Sequence, residues 1–472
     1  MSLADLSAAD LARRIAAGDA TAADAVEASL ERIERRNPGV NAFSVVLADE
    51  ARAEAARRDA HQAEGGRLGP LHGVPVAIKE EIDVAGCVTT FGGRGNSTPA
   101  AEDGEVVRRL RQAGAVIVGK TRMPEFGQWT FTETVDGGIT RNPWDRTRTP
   151  GGSSGGSAVA VALGMVPVAL GSDGGGSIRI PAACCGIFGL KPTRGRVTSH
   201  PLPHLWWGLV ATGPLTRTVL DSALVYDVIR GNTAGDRFTA PEPPTTFIAA
   251  AGTAPDRLRI GWSVRPVTRG VRPAPEHVDA VHEIARVLSG LGHDVREVDP
   301  RYPDPTFAFL AQDWAGVRAE ADSVDHFDRL ESRTRQWYRL GSWVTPRILD
   351  RALASGERVA EKANRVFEEV DVLVTPVMGP RPHKVPVLGR GGAVGAGLKS
   401  LPMIAWTALW NVTGNPAASV PTGLAADGLP VAVQLVGRIG DETTLLSLTA
   451  QLERAQPWPL LTDEAHRSGL TG

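Results

Sequence analysis

Two glycine- and serine-rich tracts flank an apolar segment in the first half of the chain. The first tract is GGSSGGS at residues 151–157, and the second is SDGGGSIRIPA at residues 172–182. Flexible glycine–serine linkers lie in polar, mobile sequence, whereas residues 158–171 between these tracts are apolar enough to be buried. Glycines inside a core indicate close backbone approach or φ values that other residues avoid. The pattern therefore predicts a rigid frame that presents serine side chains.

Composition and charge are those of an ordinary globular protein. The 472 residues are 42% hydrophobic and 22% charged, with a formal net charge of −2. Neither nucleic acid nor a membrane is therefore expected as a partner, and no apolar run approaches the roughly 18 residues of a membrane span. The N-terminus predicts an amphipathic helix and not a signal peptide. Cys87, Cys184 and Cys185 give neither a disulfide framework nor a metal-ligand spacing, which favours a cytoplasmic setting.

Helix and strand patterns alternate along the chain. Three helices are predicted in the first 60 residues, the second opening at a Thr21–Asp24 capping box and interrupted at Asn37-Pro38-Gly39. Short apolar runs predict buried strands, and residues 379–397 predict a Gly/Pro loop at a mobile rim. The alternation predicts an α/β fold with a largely buried sheet.

Lys79 ends a predicted apolar strand. Lysine is normally solvated, so two interpretations stand: a strand-end lysine that reaches solvent, or a buried neutral lysine that acts as a base. Lowering its pKa from about 10.4 to about 7.5 needs roughly 4 kcal/mol, which burial can supply. Glu80 and Glu81 follow directly. They are candidates for acid–base work, although a solvated or salt-bridged pair is the commoner outcome.

Two sites for a serine nucleophile compete. Residues 151–155 match the G-x-S-x-G elbow around Ser153, but that elbow needs a strand before it, and the preceding NPWDRTRTP contains two prolines. Residues 174–177, GGGS, place several backbone N–H groups beside the Ser177 hydroxyl, as an oxyanion hole requires. A tight turn is the alternative, while a nucleotide loop and a β-lactamase site are disfavoured because their lysine motifs are missing. Cys184 and Cys185 lie in an apolar run that predicts inert thiols.

These segments together resemble the amidase signature family. The match lies in LHGVPVAIKE, GKTRMPEF, RNPWDRTRTPGGSSGGSAVAVALGMVPVALGSDGGGSIRIPAACCGIFGLKPTRG, GNPAASVPTG and LPVAVQLVG. It is densest over residues 71–195. The resemblance implies an α/β/α sandwich around a large mixed, mostly parallel sheet. It also implies one domain over residues 1–472, in which residues 300–400 form a helical, Trp-rich insertion at the substrate rim.

The same resemblance implies a Ser-Ser-Lys triad that hydrolyses C–N acyl bonds through an acyl-enzyme. By it, Ser177 is the nucleophile, Ser153 in a cis peptide after Gly152 relays the proton, and Lys79 is the base. The amides implied to hold the oxyanion are those of Gly174, Gly175, Gly176 and Ser177. The residues implied to brace the loop are Asp173, Arg179 and Ser154. No metal or organic cofactor is implied.

The substrate pocket is the part that the sequence determines least. Candidates for its wall are Phe126, Gln128, Trp129, Trp206 and Trp207, together with Trp337 and Trp343, although core packing is the alternative for each aromatic ring. They favour a bulky apolar or aromatic amide, and carbamates (urethanes) and esters share the same acyl chemistry. The expected enzyme is a monomer or homodimer acting on such small molecules.

Two other functions remain open. The amidase subunit of a glutamine-dependent tRNA amidotransferase shares these motifs, but a polar glutamine pocket suits the Trp-rich segments poorly. A non-catalytic scaffold of the same fold is disfavoured by the intact Lys79, Ser153 and Ser177.

Overall fold

A computed structural model describes residues 2–202, 204–389 and 391–461. The α-helices are α1 (Ala8–Ala17), α2 (Ala22–Val40), α3 (Ala48–Ala63), α4 (Glu105–Gln112), α5 (Gly155–Ala162), α6 (Arg179–Cys185), α7 (Val219–Ile229), α8 (Phe247–Gly252), α9 (Pro275–Gly290), α10 (Thr306–Ser323), α11 (Ser332–Leu340), α12 (Pro346–Asn364), α13 (Val366–Glu369), α14 (Gly392–Ser400), α15 (Ala408–Thr413) and α16 (Glu442–Ala455). The strands are β1 (Phe43–Val46), β2 (Pro75–Lys79), β3 (Val116–Thr121), β4 (Glu133–Thr134), β5 (Gly138–Ile139), β6 (Val168–Asp173), β7 (Phe188–Lys191), β8 (Ala211–Thr216), β9 (Arg259–Trp262), β10 (Asp294–Glu297), β11 (Val372–Pro376), β12 (Ala417–Leu424) and β13 (Pro430–Val436).

Eleven of the described strands form one sheet, in the order β1-β3-β2-β6-β8-β7-β12-β13-β11-β9-β10. The parallel neighbours are β2 with β3, β2 with β6, β9 with β10 and β9 with β11. The other six pairings are antiparallel. The predicted α/β fold around a large mixed sheet is confirmed, but its parallel share is smaller than expected. The reason is that β8, β7, β12 and β13 lie together as antiparallel neighbours in the middle of the sheet.

Both faces of the sheet are buried. Successive side chains of a strand point to opposite faces, and in β2 they enter two different cores. Val76 and Ile78 pack in a core that also holds residues of α4, α7, α9 and α16. Ala77 packs in a second core with residues of α2, α3 and α5. This layering explains why the strands appear in the sequence as continuous apolar runs.

The N-terminal helices test the capping and break predictions. The Thr21–Asp24 capping box is present, with both of its hydrogen bonds at 3.0 Å. The predicted break at Asn37-Pro38-Gly39 is wrong, because α2 continues through Pro38 to Val40 and ends at Asn41, which adopts the left-handed conformation. Proline in the last turn costs few hydrogen bonds, so a helix can end beyond it.

Helices α10, α11, α12 and α14 lie in the chain segment predicted as a helical rim. The predicted loop at residues 379–397 is only partly a loop, since α14 starts at Gly392. Within the part of the chain that the structure describes, no helix is both long enough and apolar enough to cross a membrane.

Gly156 tests the close packing of α5 against the sheet. A Cβ at this position would lie 2.5 Å from both Ala42 O and Arg122 N, which are backbone atoms of neighbouring elements. We expect Gly156→Ala to lower the free energy of unfolding, measured by urea denaturation, by about 3 kcal/mol, because backbone atoms cannot give way as a side chain can. Gly290→Ala is the matched control, since an added Cβ there has no atom within 4 Å. Equal stability of the two variants would contradict this account of the packing.

Candidate active site

The sheet brings the two Gly/Ser tracts and Lys79 to one edge. Lys79 is the last residue of β2, and Ser172 and Asp173 end the neighbouring parallel strand β6. The carboxyl ends of adjacent parallel strands meet at the same edge of a sheet. Ser153 precedes α5, and Ser177 lies in the turn between β6 and α6. Residues that are far apart in sequence therefore share one site.

Lys79 is fully buried, which excludes the interpretation that its amine reaches solvent. Its Nζ lies 2.8 Å from Ser153 Oγ, 2.7 Å from Ser172 Oγ and 3.2 Å from Glu81 Oε1. Burial lowers the pKa of the Lys79 amine, and the nearby Glu81 carboxylate opposes that shift. Burial therefore shifts the Lys79 amine towards its neutral form, while the contact with Glu81 shifts it back towards the ammonium.

Ser153 and Ser177 open onto the same cavity. The Gly152–Ser153 peptide bond is cis, as the resemblance implies. Among the described residues no hydrogen bond joins the two hydroxyls. Ser154 connects the two tracts instead: its N–H donates to Ser177 O at 3.2 Å, and its hydroxyl donates to Ser172 O at 3.1 Å.

A buried ion pair braces the second tract. Asp173 and Arg179 are both fully buried, and Arg179 Nη2 lies 2.8 Å from Asp173 Oδ1. The same carboxylate accepts hydrogen bonds from the backbone N–H groups of Gly176 at 2.7 Å and Ile178 at 3.2 Å. Although burial alone would raise it, the charge and hydrogen bonds of Arg179, together with Lys191 and Asn411, hold the pKa of Asp173 well below its usual range.

The backbone amides of this loop divide into two groups. Gly174, Gly175 and Ser177 line the cavity, and their N–H groups have no hydrogen-bond partner within the described ranges. Gly176 does not line the cavity, and its N–H already donates to Asp173. The prediction that Gly176 helps to hold an oxyanion is therefore wrong, because the Gly176 N–H already donates its hydrogen bond to the Asp173 carboxylate.

The cavity has a volume of about 450 Å³ and mainly apolar walls. Four of the five predicted wall residues line it: Phe126, Gln128, Trp129 and Trp206. Trp207 does not; its ring stacks on His204 at 4.2 Å between centroids.

Of the two further tryptophans predicted as wall candidates, only one lines the cavity. Trp337 lines the cavity, whereas Trp343 does not and packs edge-on against Trp314. A single sequence cannot show which way a ring points when its neighbours come from distant segments.

Helix α10 supplies wall residues that the sequence reasoning missed. They are Thr306, Phe309, Leu310, Asp313, Trp314 and Glu320. They are spaced three, four and seven residues apart, as residues on one face of a helix are. This spacing is visible in the sequence and could have indicated a shared helix face.

Two of these wall residues are buried acids that tryptophans hold in place. Trp337 Nε1 donates to Asp313, and Trp206 Nε1 donates to Glu320, both at 2.8 Å. Burial raises the pKa of Asp313 to about 7 and that of Glu320 well above its ordinary value. Glu81 also lines the cavity, whereas no lysine, arginine or histidine does so among the described residues. The cavity therefore offers acidic groups and no cationic partner for an anion.

Comparisons with known proteins show the family to which the chain belongs. A family model described as Amidase matches residues 24–446, and the chain belongs to this family. AmiB2 of Mycobacterium tuberculosis, whose name places it among the amidases, is 47% identical over 97% of each chain. One subunit of a glutamyl-tRNA(Gln) amidotransferase from Chloroflexus aurantiacus is 37% identical over 94% of this chain and 95% of its own.

Solved structures with the same fold include two amide hydrolases. A 6-aminohexanoate cyclic dimer hydrolase complexed with substrate has a TM-score of 0.90 and 32% identity, and the match covers 96% of this chain and 98% of that one. A bacterial aryl acylamidase of the amidase signature family has a TM-score of 0.84 and 29% identity over 96% of each chain. The predicted family resemblance is therefore confirmed.

Asp173→Asn tests the bracing ion pair. It would leave the buried Arg179 without its counter-charge, so we expect the free energy of unfolding to fall by about 3–5 kcal/mol. Asp299→Asn is the control, because it removes the partner of Arg265 from an exposed pair, where little change is expected. The readout is urea denaturation at neutral pH. A similar, small loss in both variants would refute the bracing role.

Proposed function

We propose that this protein is a serine amidase that cleaves C–N acyl bonds of bulky apolar or aromatic substrates, with Lys79, Ser153 and Ser177 as its triad. The observation that carries the proposal is the hydrogen bond between the buried Lys79 amine and Ser153 Oγ. Ser153 and Ser177 both line the same cavity. The three cysteines are free, which fits the predicted cytoplasmic setting. The oligomeric state, monomer or homodimer, stays a prediction.

In the proposed acylation step, protons move along one line. Neutral Lys79 takes the hydroxyl proton of Ser153, Ser153 takes that of Ser177, and Ser177 Oγ attacks the substrate carbonyl. When the C–N bond breaks, the proton returns through Ser153 to the leaving amine, and Lys79 is neutral again. Water then enters, gives a proton to the same relay and attacks the acyl carbon. The bond to Ser177 Oγ breaks, the relay returns the proton to Ser177, and the acid leaves.

The proposed oxyanion site consists of the N–H groups of Gly174, Gly175 and Ser177. Its support is that these residues line the cavity and that their N–H groups have no hydrogen-bond partner among the described residues. Fixed donors of this kind stabilise the negative charge that develops on the carbonyl oxygen. Asp173 and Arg179 do not touch the substrate in this proposal but hold the loop in shape.

The walls of the cavity favour an uncharged amide or a closely related acyl group. The aromatic rings supply apolar surface, and Gln128 Oε1 and Trp129 Nε1 lack hydrogen-bond partners among the described residues although both are buried. An acceptor and a donor placed in this way suit the two polar ends of an amide or a carbamate. Aryl amides are the first substrates to test, followed by carbamates and esters.

The glutaminase alternative fits the charges poorly. Glutamine carries an ammonium group, which acidic walls could pair, and also a carboxylate, for which no basic side chain lines the cavity among the described residues. An unpaired charge in a low-dielectric site is strongly unfavourable. Turnover of an aryl anilide by the purified chain alone would support the free hydrolase. Activity on glutamine only, and only with a partner protein present, would overturn it.

Ser177→Ala tests the nucleophile. A fluorophosphonate forms a stable bond with an activated serine, so we expect labelling of the wild type and a loss of labelling by at least about 10³-fold in the variant. Mass spectrometry of the labelled peptide is the readout. Ser222→Ala is the control, because Ser222 is buried in α7 and does not line the cavity. Labelling of Ser177→Ala at the wild-type rate would place the nucleophile elsewhere.

Substrate charge tests the acidic cavity. We expect the hexanoyl anilide to be hydrolysed at least about 100-fold faster, by kcat/KM, than the adipoyl monoanilide, whose chain ends in a carboxylate, because like charges repel by several kcal/mol. The difference should increase as the pH rises through 7, where Asp313 loses its proton. Asp313→Asn should reduce that pH-dependent part. Equal rates for the two anilides at pH 8 would contradict the proposed selectivity.

A further inference from the structure

Glu81 is a charged residue beside the proposed base to which the triad gives no role. It follows Lys79 by two positions, and its Oε1 lies 3.2 Å from Lys79 Nζ. Its side chain is 18% exposed and lines the cavity. The adjacent Glu80 points elsewhere, because its carboxylate accepts a hydrogen bond from Thr90 Oγ1. The two successive acids of the sequence therefore have different surroundings, and only one contacts the lysine.

The surroundings of Lys79 can also accommodate the ammonium that forms when it takes a proton. A lysine ammonium has three N–H donors and no acceptor. Nζ is hydrogen-bonded to the hydroxyls of Ser153 and Ser172, and Glu81 Oε1 lies 3.2 Å away as an ion-pair partner. The neutral amine has two N–H donors and one lone pair, so the lone pair can accept the Ser153 proton while the N–H groups face Ser172 and Glu81.

We propose that Glu81 is a positioning residue of the relay that stabilises the Lys79 ammonium formed when Ser177 attacks. The inference rests on the proposed function. In the step concerned, the Ser177 proton moves to Ser153, the Ser153 proton moves to Lys79, and the new ammonium donates one N–H to the Glu81 carboxylate. Glu81 itself neither gains nor loses a proton. Its part is like that of the aspartate in a Ser-His-Asp triad, which stabilises the cation that the base becomes.

None of the other charged groups described near Lys79 is placed to stabilise its ammonium by direct contact. Asp173, on the neighbouring strand, is paired with Arg179 at 2.8 Å. Glu320, on α10, accepts a hydrogen bond from Trp206 and is buried against the cavity. Burial lowers the pKa of the Lys120 amine, on β3, more strongly than the nearby charge of Glu81 raises it. Within the described ranges, Glu81 is the one carboxylate in direct contact with Nζ.

This arrangement predicts how the relay depends on pH. Burial lowers the pKa of Lys79, and Glu81 raises it. Removing the Glu81 charge should therefore lower that pKa further. A base is active above its own pKa, so the acidic limb of the pH–rate profile should move to lower pH, and the weaker base should give a lower plateau.

Glu81→Gln tests the inference through the rate at which a fluorophosphonate labels Ser177 between pH 5 and 10. We expect the acidic limb to move down by about one to three pH units, which is the range for loss of a contacting opposite charge, and the plateau to fall about tenfold. Glu81→Asp keeps the charge but places it farther from Nζ, so its limb should lie between those of the wild type and Glu81→Gln. Glu80→Gln is the matched control and should leave the limb in place.

The outcomes separate the inference from the function on which it rests. If folded wild-type protein is not labelled at Ser177 at any pH, the proposed function fails. If it is labelled and the limbs of wild type, Glu80→Gln and Glu81→Gln coincide, the role of Glu81 is overturned. Thermal melting checks the fold of each variant. Should Glu81→Gln not fold, Glu81→Asp decides, because its more distant carboxylate must still lower the limb, and an unchanged limb overturns the inference.

Discussion

The Lys79 amine is held away from solvent between two hydroxyls and one carboxylate, and the rest of the site is arranged around it. Burying a lysine is costly unless its polar atoms are satisfied. Here two hydrogen bonds come from the start of α5 and the end of β6, and an ion pair comes from the turn after β2, so three separate parts of the chain must meet at one sheet edge. The parallel pairing of β2 with β6 makes that meeting possible.

The same edge carries two acidic groups with different tasks. Asp173 is neutralised by Arg179 and also accepts the Gly176 amide, so it shapes the loop and contributes little free charge. Among the described residues, Glu81 has no ion-pair partner other than Lys79. The carboxylate in direct contact with the proposed base therefore belongs to a residue two positions after it in sequence, while a buried ion pair holds the shape of the loop.

Much of this could be predicted from sequence because the signals were local. The strand that ends at Lys79, the Thr21 cap and the family motifs depend on nearby residues, and each is confirmed. Other features depend on contacts between distant segments. The Gly176 amide faces a carboxylate and not the cavity, Trp207 turns towards His204, and the glycine-rich α14 becomes helical where it packs on α11. The antiparallel middle of the sheet also follows from strand order, which no local pattern contains.

The central claim is that Lys79 is a neutral base in the resting protein. The chain has only six lysines, so NMR of protein labelled with ¹³C at the lysine Cε can follow each amine through a pH titration. The Lys79 signal is assigned by its loss in Lys79→Met, which separates it from the buried Lys120 and Lys191. The account predicts that this signal titrates well below the usual value of about 10.4. A Lys79 amine that stays protonated up to about pH 10 would contradict it.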